Sequence, residues 1–122
     1  MKVIRWILGK LILFIDALTA PKPKQRADEQ QRVVDQQTES LKLYQYLACP
    51  FCVKTRRVIR RLGLNIETHD ALHNEKYRSE LIQQGGQAQV PCLKITHDDG
   101  KIEWMYESSD IINYLEARFA QL

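Results

Sequence analysis

Two cysteines, Cys49 and Cys52, sit where an alternating apolar run gives way to a helical repeat, and this junction limits what the 122 residues can fold into. Leu41, Leu43, Tyr44 and Tyr46 read as a strand. From Phe51 to Leu62 the apolar residues Val53, Val58, Ile59 and Leu62 recur at helical spacing with arginines between them. The first N–H groups of a helix have no partner within it and carry a partial positive charge, so a thiolate at Cys49 is stabilised at that end. Pro50 suits the first turn, where its missing N–H costs nothing. Cys49 therefore reads as a nucleophile. Cys52, one turn later on the same side, is in reach of its sulfur and reads as the thiol that closes or resolves a disulfide.

The alternatives for the pair are a zinc half-site or two core thiols. Zinc needs two further ligands, and only Cys92, His69, His73 and His97 remain, with no second close pair among them. No metal is expected, and the lone histidines read as surface or loop residues. Three cysteines cannot build a disulfide framework, and an odd count that includes a Cys-x-x-Cys points to a reducing compartment. The length fits one domain with a core of its own, and no nucleic-acid partner is expected.

Beyond the cysteine helix, Gly63 ends the turn and Asn65 to Thr68 reads as a second strand, parallel to the first by the strand-helix-strand rule. Asn74 to Gln84 follows as a helix. Val90-Pro91 leads into a strand over Cys92 to Thr96, and Cys92 reads as a small core residue or as a third thiol near the pair. His97-Asp98-Asp99-Gly100 is a hairpin turn into a strand over Lys101 to Tyr106. Glu107-Ser108-Ser109-Asp110 opens the last helix with serine at its N-cap, and Ile111, Ile112, Leu115 and Phe119 face the core by spacing. The run Lys54, Arg56, Arg57, Arg60 and Arg61 reads as the wet side of its helix, with attraction of an acidic substrate as the second reading.

Three segments carry a resemblance: Lys42-Leu43-Tyr44 through Cys49-Pro50-Phe51-Cys52-Val53-Lys54, then Gln89-Val90-Pro91-Cys92-Leu93, then Glu107-Ser108-Ser109-Asp110-Ile111 with Tyr114-Leu115. In order and spacing they resemble the glutaredoxins that share their domain with the amino-terminal half of glutathione S-transferases. The resemblance covers residues 41–120 and implies an α/β, thioredoxin-like fold with a four-stranded mixed sheet. It implies Cys49 and Cys52 as the redox pair, glutathione as co-substrate, and glutathionylated or disulfide-containing proteins as partners. It also implies a cis Val90-Pro91 bond and a glutathione site made by Phe51, Val90, Pro91, Glu107 and Ser108. Val90 would pair its backbone with the glutathione cysteine, and Glu107 and Ser108 would take the γ-glutamyl end. The helical domain of a transferase is absent from this pattern, so chemistry on bulky electrophiles is not expected. A glutathione-binding sensor or iron–sulfur module of the same fold is the alternative.

The remaining charge lies in the first segment. Residues 1–26 hold six Lys or Arg and one Asp, a net +5, which leaves the other 96 residues at −2. Ile4, Ile7, Leu8, Leu11, Phe14, Ile15 and Leu18 form one helical stripe, with Lys2, Arg5, Gly9, Lys10 and Asp16 opposite and Trp6 and Leu13 as exceptions. Lys10 and Leu18 spoil a signal-peptide pattern, and the apolar run is short for a span. The reading is therefore a membrane-seeking amphipathic helix over residues 1–20, lying on the cytoplasmic face where reducing chemistry belongs. A helix packed on the domain or on a second copy is the alternative, and a short span of a thin bilayer comes third. Residues 21–40 are expected to be a polar linker that holds the redox domain, 41–122, away from whatever binds the first helix.

Overall fold

Leu41–Gln45 (β1) is the strand the sheet is built on, and it is buried because it has a partner on each side. The computed structural model describes residues 2–122. On one edge β1 pairs in parallel with Glu67–Asp70 (β2), with Leu43 opposite Thr68. On the other it runs antiparallel to Cys92–Thr96 (β3), with Tyr44 opposite Cys92. Ile102–Met105 (β4) completes the order β2-β1-β3-β4 by pairing with β3. This is the four-stranded mixed sheet expected from the sequence. The second strand lies two residues later than its expected bounds, because Gly63 to Ile66 are spent turning the chain back from the helix.

Helices cover both faces. Pro50–Arg61 (α3) and Ser108–Phe119 (α5) lie on one side, where Leu41, Leu43, Ile59, Leu93, Ile95, Ile111, Leu115 and Phe119 form the larger core. Glu75–Gln83 (α4) covers the other face, over Tyr44, Ala71, Leu81 and Cys92. The Asn74 side chain caps α4 by accepting from the amides of Lys76 and Tyr77.

Residues 21–40, expected to be a polar linker, pack in part on the domain. Asp28–Thr38 (α2) is helical, and it buries Val34 and Thr38 against the larger core. Arg26 donates to the carbonyls of Leu122, Gly63 and Phe119, and the Lys24 amide donates to Arg61. This close approach depends on Gly63, whose φ of +67° disfavours a side chain and where a Cβ would stand 2.8 Å from the Arg26 guanidinium. The polar composition concealed the packing because only Val34 and Thr38 need to point inward.

Lys2–Leu18 (α1) is helical as expected, and its docking face is the unexpected one. Gly9, Ile12, Leu13 and Asp16 are its partly buried residues, all on the side opposite the apolar stripe. Arg57 of α3 grips that side, meeting the Asp16 carboxylate at 2.9 Å and donating to the Thr19 hydroxyl and carbonyl at 3.1 and 2.8 Å. The stripe itself points outward, with exposures from 49% at Leu11 to 69% at Leu18. Leu13 broke the sequence division because it belongs to the docked face. Among the described residues no helix is long and apolar enough to cross a membrane.

Candidate active site

The end of β1 passes through Tyr46-Leu47-Ala48 and places Cys49 at the N-cap of α3, with Pro50 in the first helical position. Two bonds from one residue shape this turn. The Cys49 amide donates to the Tyr46 carbonyl at 3.3 Å, and the Tyr46 amide donates to the Cys52 sulfur at 3.5 Å. Arg56 braces the same turn from the next helical turn but one, donating to the Leu47 carbonyl at 2.6 Å and to the Gln45 side chain at 2.8 Å. Sequence reasoning passed over Arg56 as part of a wet basic face. Its spacing of seven from Cys49, which returns it to the same side of the helix, was the available signal.

The two thiols differ. Cys49 is partly exposed and Cys52 is buried. Burial pushes the Cys52 thiol up to about 12; the Tyr46 amide opposes this and the neighbouring Cys49 adds to it. Cys52 is thus a thiol at neutral pH. Cys92 is buried under α4, and burial likewise lifts it to about 12, with Tyr106 as its polar neighbour. That environment makes it the small core residue of the two readings offered above.

The register brings the other segments to the cysteine end of the sheet. Because Cys92 pairs with Tyr44, the preceding Val90-Pro91 lies beside the turn that carries Cys49, and its peptide bond is cis. Met105 pairs with Leu93, so the chain leaving β4 delivers Glu107 to the same end. There Gln89 donates to the Glu107 carboxylate at 3.2 Å. Phe51, Gln89, Val90, Pro91, Glu107 and Ser108 together line a cleft of about 250 Å³. All five residues expected to hold glutathione are on its wall. Gln89 is the sixth, a residue quoted in the motif but given no role. Phe51 links the cleft to the cysteines that flank it and is 61% exposed.

One local expectation is corrected. Serine is not the N-cap of α5: Glu107 is, with φ +71° and ψ 116° and no side-chain cap, and Ser108 begins the helix. A non-glycine residue at positive φ is strained, and here the conformation turns the Glu107 carboxylate toward Gln89 and the cleft instead of onto its own helix. The unpaired amides that begin α5 open at the same place.

The basic face of α3 is also more committed than expected. Arg56 and Arg57 hold the active-site turn and α1, and Arg61 pairs with Glu116. Among the described residues, no three or more His, Cys, Asp or Glu are grouped where they would hold a metal ion.

Residues 43–121 match the family described as the glutathione S-transferase N-terminal domain. Glutaredoxin 2 of Escherichia coli strain K12 is 34% identical over 76 residues, covering 62% of this chain and 33% of its own length; Glutaredoxin 2 of the O157:H7 strain matches equally. The chain thus spans about a third of the length of these curated relatives. The solution structure of glutaredoxin from Brucella melitensis matches at 19% identity with a TM-score of 0.44, covering 65% of this chain and 79% of that one. With its mixed sheet in a thioredoxin-like arrangement and its match over more than half of its length, the chain belongs to the glutathione S-transferase N-terminal domain family, among its glutaredoxin-like members.

Proposed function

We propose that this chain is a glutathione-dependent thiol–disulfide oxidoreductase that acts on glutathionylated or disulfide-bonded proteins. The observation that carries the reading is the unequal cysteine pair, a partly exposed Cys49 at a helix start and a buried Cys52 one turn on, beside the cleft of Phe51, Val90, Pro91, Glu107 and Ser108. The Cys49 thiolate attacks the glutathione sulfur of a protein–glutathione disulfide. The sulfur–sulfur bond between protein and glutathione breaks, the protein thiolate leaves and takes a proton from water, and Cys49 holds the glutathionyl group. A second glutathione thiolate then attacks that sulfur, releasing glutathione disulfide and the Cys49 thiolate. For a protein disulfide, Cys49 forms the mixed disulfide and Cys52 displaces the protein thiol, giving a Cys49–Cys52 disulfide that two glutathiones reduce.

The cleft serves the first route. The Glu107 carboxylate suits the ammonium of a γ-glutamyl group, and the free amides at the start of α5 suit its carboxylate. In this reading the Val90 backbone would pair with the tripeptide's central residue and Phe51, on the wall nearest the cysteines, would lie beside its sulfur. The test is reduction of a glutathione mixed disulfide by the full chain with glutathione and glutathione reductase. Turnover should vanish in Cys49→Ser. Survival of deglutathionylation in Cys52→Ser would identify the one-cysteine route, and its loss would assign turnover to the internal disulfide. No turnover in the parent chain would overturn the reading.

The same proposal gives the chain an address on the cytoplasmic face of a membrane. Its support is α1, whose apolar stripe faces away from the domain while Asp16, its one acid, is paired with Arg57 and the helix also carries Lys2, Arg5 and Lys10. A helix of that kind binds at the headgroup boundary of an anionic bilayer. Co-sedimentation with vesicles containing phosphatidylglycerol, lost in an Ile7→Glu/Leu11→Glu variant, tests it.

A further inference from the structure

The face by which α1 docks fixes where the redox centre stands. Gly9 lies so close to the turn before the nucleophile that a Cβ placed on it would be 3.2 Å from the Ala48 Cβ, and Ala48 is the residue preceding Cys49. Arg57 clamps the other end of the helix through Asp16 and Thr19. Two attachment points seven residues apart, both on the side opposite the apolar stripe, hold the helix in one orientation rather than on a swivel. With the stripe laid into a bilayer surface, the active-site turn sits directly above the helix. The separation is roughly one helix diameter, on the order of 10 Å.

The space between the helix and that turn has a definite character as well. A cleft of about 500 Å³ is lined by Trp6, Leu13, Leu47 and Leu72 together with Lys2, Arg5, Lys10 and His73, so every titratable group on it is basic. The α1 side of this wall lies before residue 43, where the family match begins.

Resting on the membrane and redox readings above, we propose that Cys49 is held at headgroup height to act on cysteines in the extramembrane segments of membrane-bound proteins, within about 10–15 Å of the bilayer. Gly9 and Asp16 are positioning residues for this selection, and they act by aiming the nucleophile rather than by contacting substrate. The apolar and basic cleft beside the turn suits an acidic, amphipathic stretch flanking the target cysteine, which would leave the surface at a shallow angle.

The experiment uses the full chain on vesicles containing phosphatidylglycerol. The substrates are one glutathionylated peptide in three forms: coupled to a lipid through a short tether, coupled through a long flexible tether of about 20 residues, and free in solution. The expected result is turnover of the short-tethered peptide at least ten times that of the long-tethered one at equal surface density. Gly9→Gln should push α1 off Ala48, and Asp16→Arg should set it against Arg57. Each should keep vesicle binding and activity on the free peptide while the short-tether advantage falls toward onefold. Equal turnover of the two tethered forms by sedimenting, active parent protein would overturn this inference alone. Failure to sediment would overturn it together with the membrane reading, and inactivity on the free peptide would overturn it together with the redox reading. Persistence of the advantage in both variants would also sink it, because tethering without orientation would then suffice.

Discussion

The Tyr46 amide points at the Cys52 sulfur across 3.5 Å while the Tyr46 carbonyl holds the Cys49 amide, so one residue ties both cysteines to the end of the central strand. The partners differ in kind: Cys49 gives a backbone N–H and leaves its sulfur partly exposed beside Cys52, whereas the Cys52 sulfur is buried and accepts the Tyr46 amide. In the folded protein only Cys49 should then react with iodoacetamide at pH 7.5, read by mass spectrometry of the digested chain. Cys52 and Cys92 should label only after unfolding, and labelling of either in the native state at the Cys49 rate would contradict the asymmetry.

The same burial predicts the alkaline behaviour of the fold. Cys52 and Cys92 are both raised from an ordinary thiol value of 9.0 to about 12 by burial. An acid group whose folded value is raised gives its full stabilisation below the unfolded value, and the unfolded chain releases that proton first as the pH rises. Stability contributed by these thiols is therefore complete below pH 9 and falls between 9 and about 12. Other groups titrate in that window too, so the diagnostic is a difference. The urea midpoint should drop less steeply from pH 8 to pH 10.5 in Cys92→Ala than in the parent, and parallel slopes would show that Cys92 is not the source.

Glu107 separates a local cost from a functional gain. At φ +71° a non-glycine residue is strained by about 1 kcal/mol or more, which glycine would relieve. Glu107→Gly should raise thermal stability while it weakens glutathione. Loss of a charge-assisted hydrogen bond is worth about 1.5–3 kcal/mol, so the KM for glutathione should rise about tenfold or more with the fold intact. An unchanged KM would remove Glu107 from the site.

The cysteine end of the molecule was legible because its signals are local. Strand alternation, a proline in the first helical turn and the hairpin at His97 to Gly100 each state their own structure, and the antiparallel register from that hairpin carries Val90-Pro91 to the site. What could not be read depends on distant partners. The N-cap of α5 moved from serine to Glu107 because the chain leaving β4 must reach Gln89, a contact 18 residues away. The docking side of α1 was illegible for a similar reason: a face of Gly9 and Asp16 looks solvated until Ala48 and Arg57 are set against it.

The second segment offers a stability test of that kind. Val34 is 1% exposed within the larger core, although it lies in a stretch whose composition suggests a tether. Removing two buried methyl groups and leaving the space unfilled costs on the order of 2 kcal/mol. Val34→Ala should therefore lower the unfolding free energy by about that amount in urea, whereas Val33→Ala, at an exposed neighbour, should change it little. Equal, small effects at both positions would restore the tether.

Arg56 is the positioning residue that the basic run concealed. Its guanidinium reaches back across the active-site turn to the Leu47 carbonyl at 2.6 Å and the Gln45 side chain at 2.8 Å, and it does not line the cleft of Phe51 and Glu107 proposed for glutathione. Removing it leaves that cleft intact but frees the loop that presents Cys49, so the nucleophile spends less time in line with the disulfide. Arg56→Ala should lower kcat on a glutathione mixed disulfide about tenfold with the KM for glutathione within twofold of the parent. Arg56→Lys should recover little, because one ammonium on a flexible stem cannot span both acceptors as the planar fork does. If the argument is wrong and Arg56 instead recruits an acidic substrate through its charge, lysine will restore activity and the loss in alanine will appear in KM, and the two variants measured together decide between these roles.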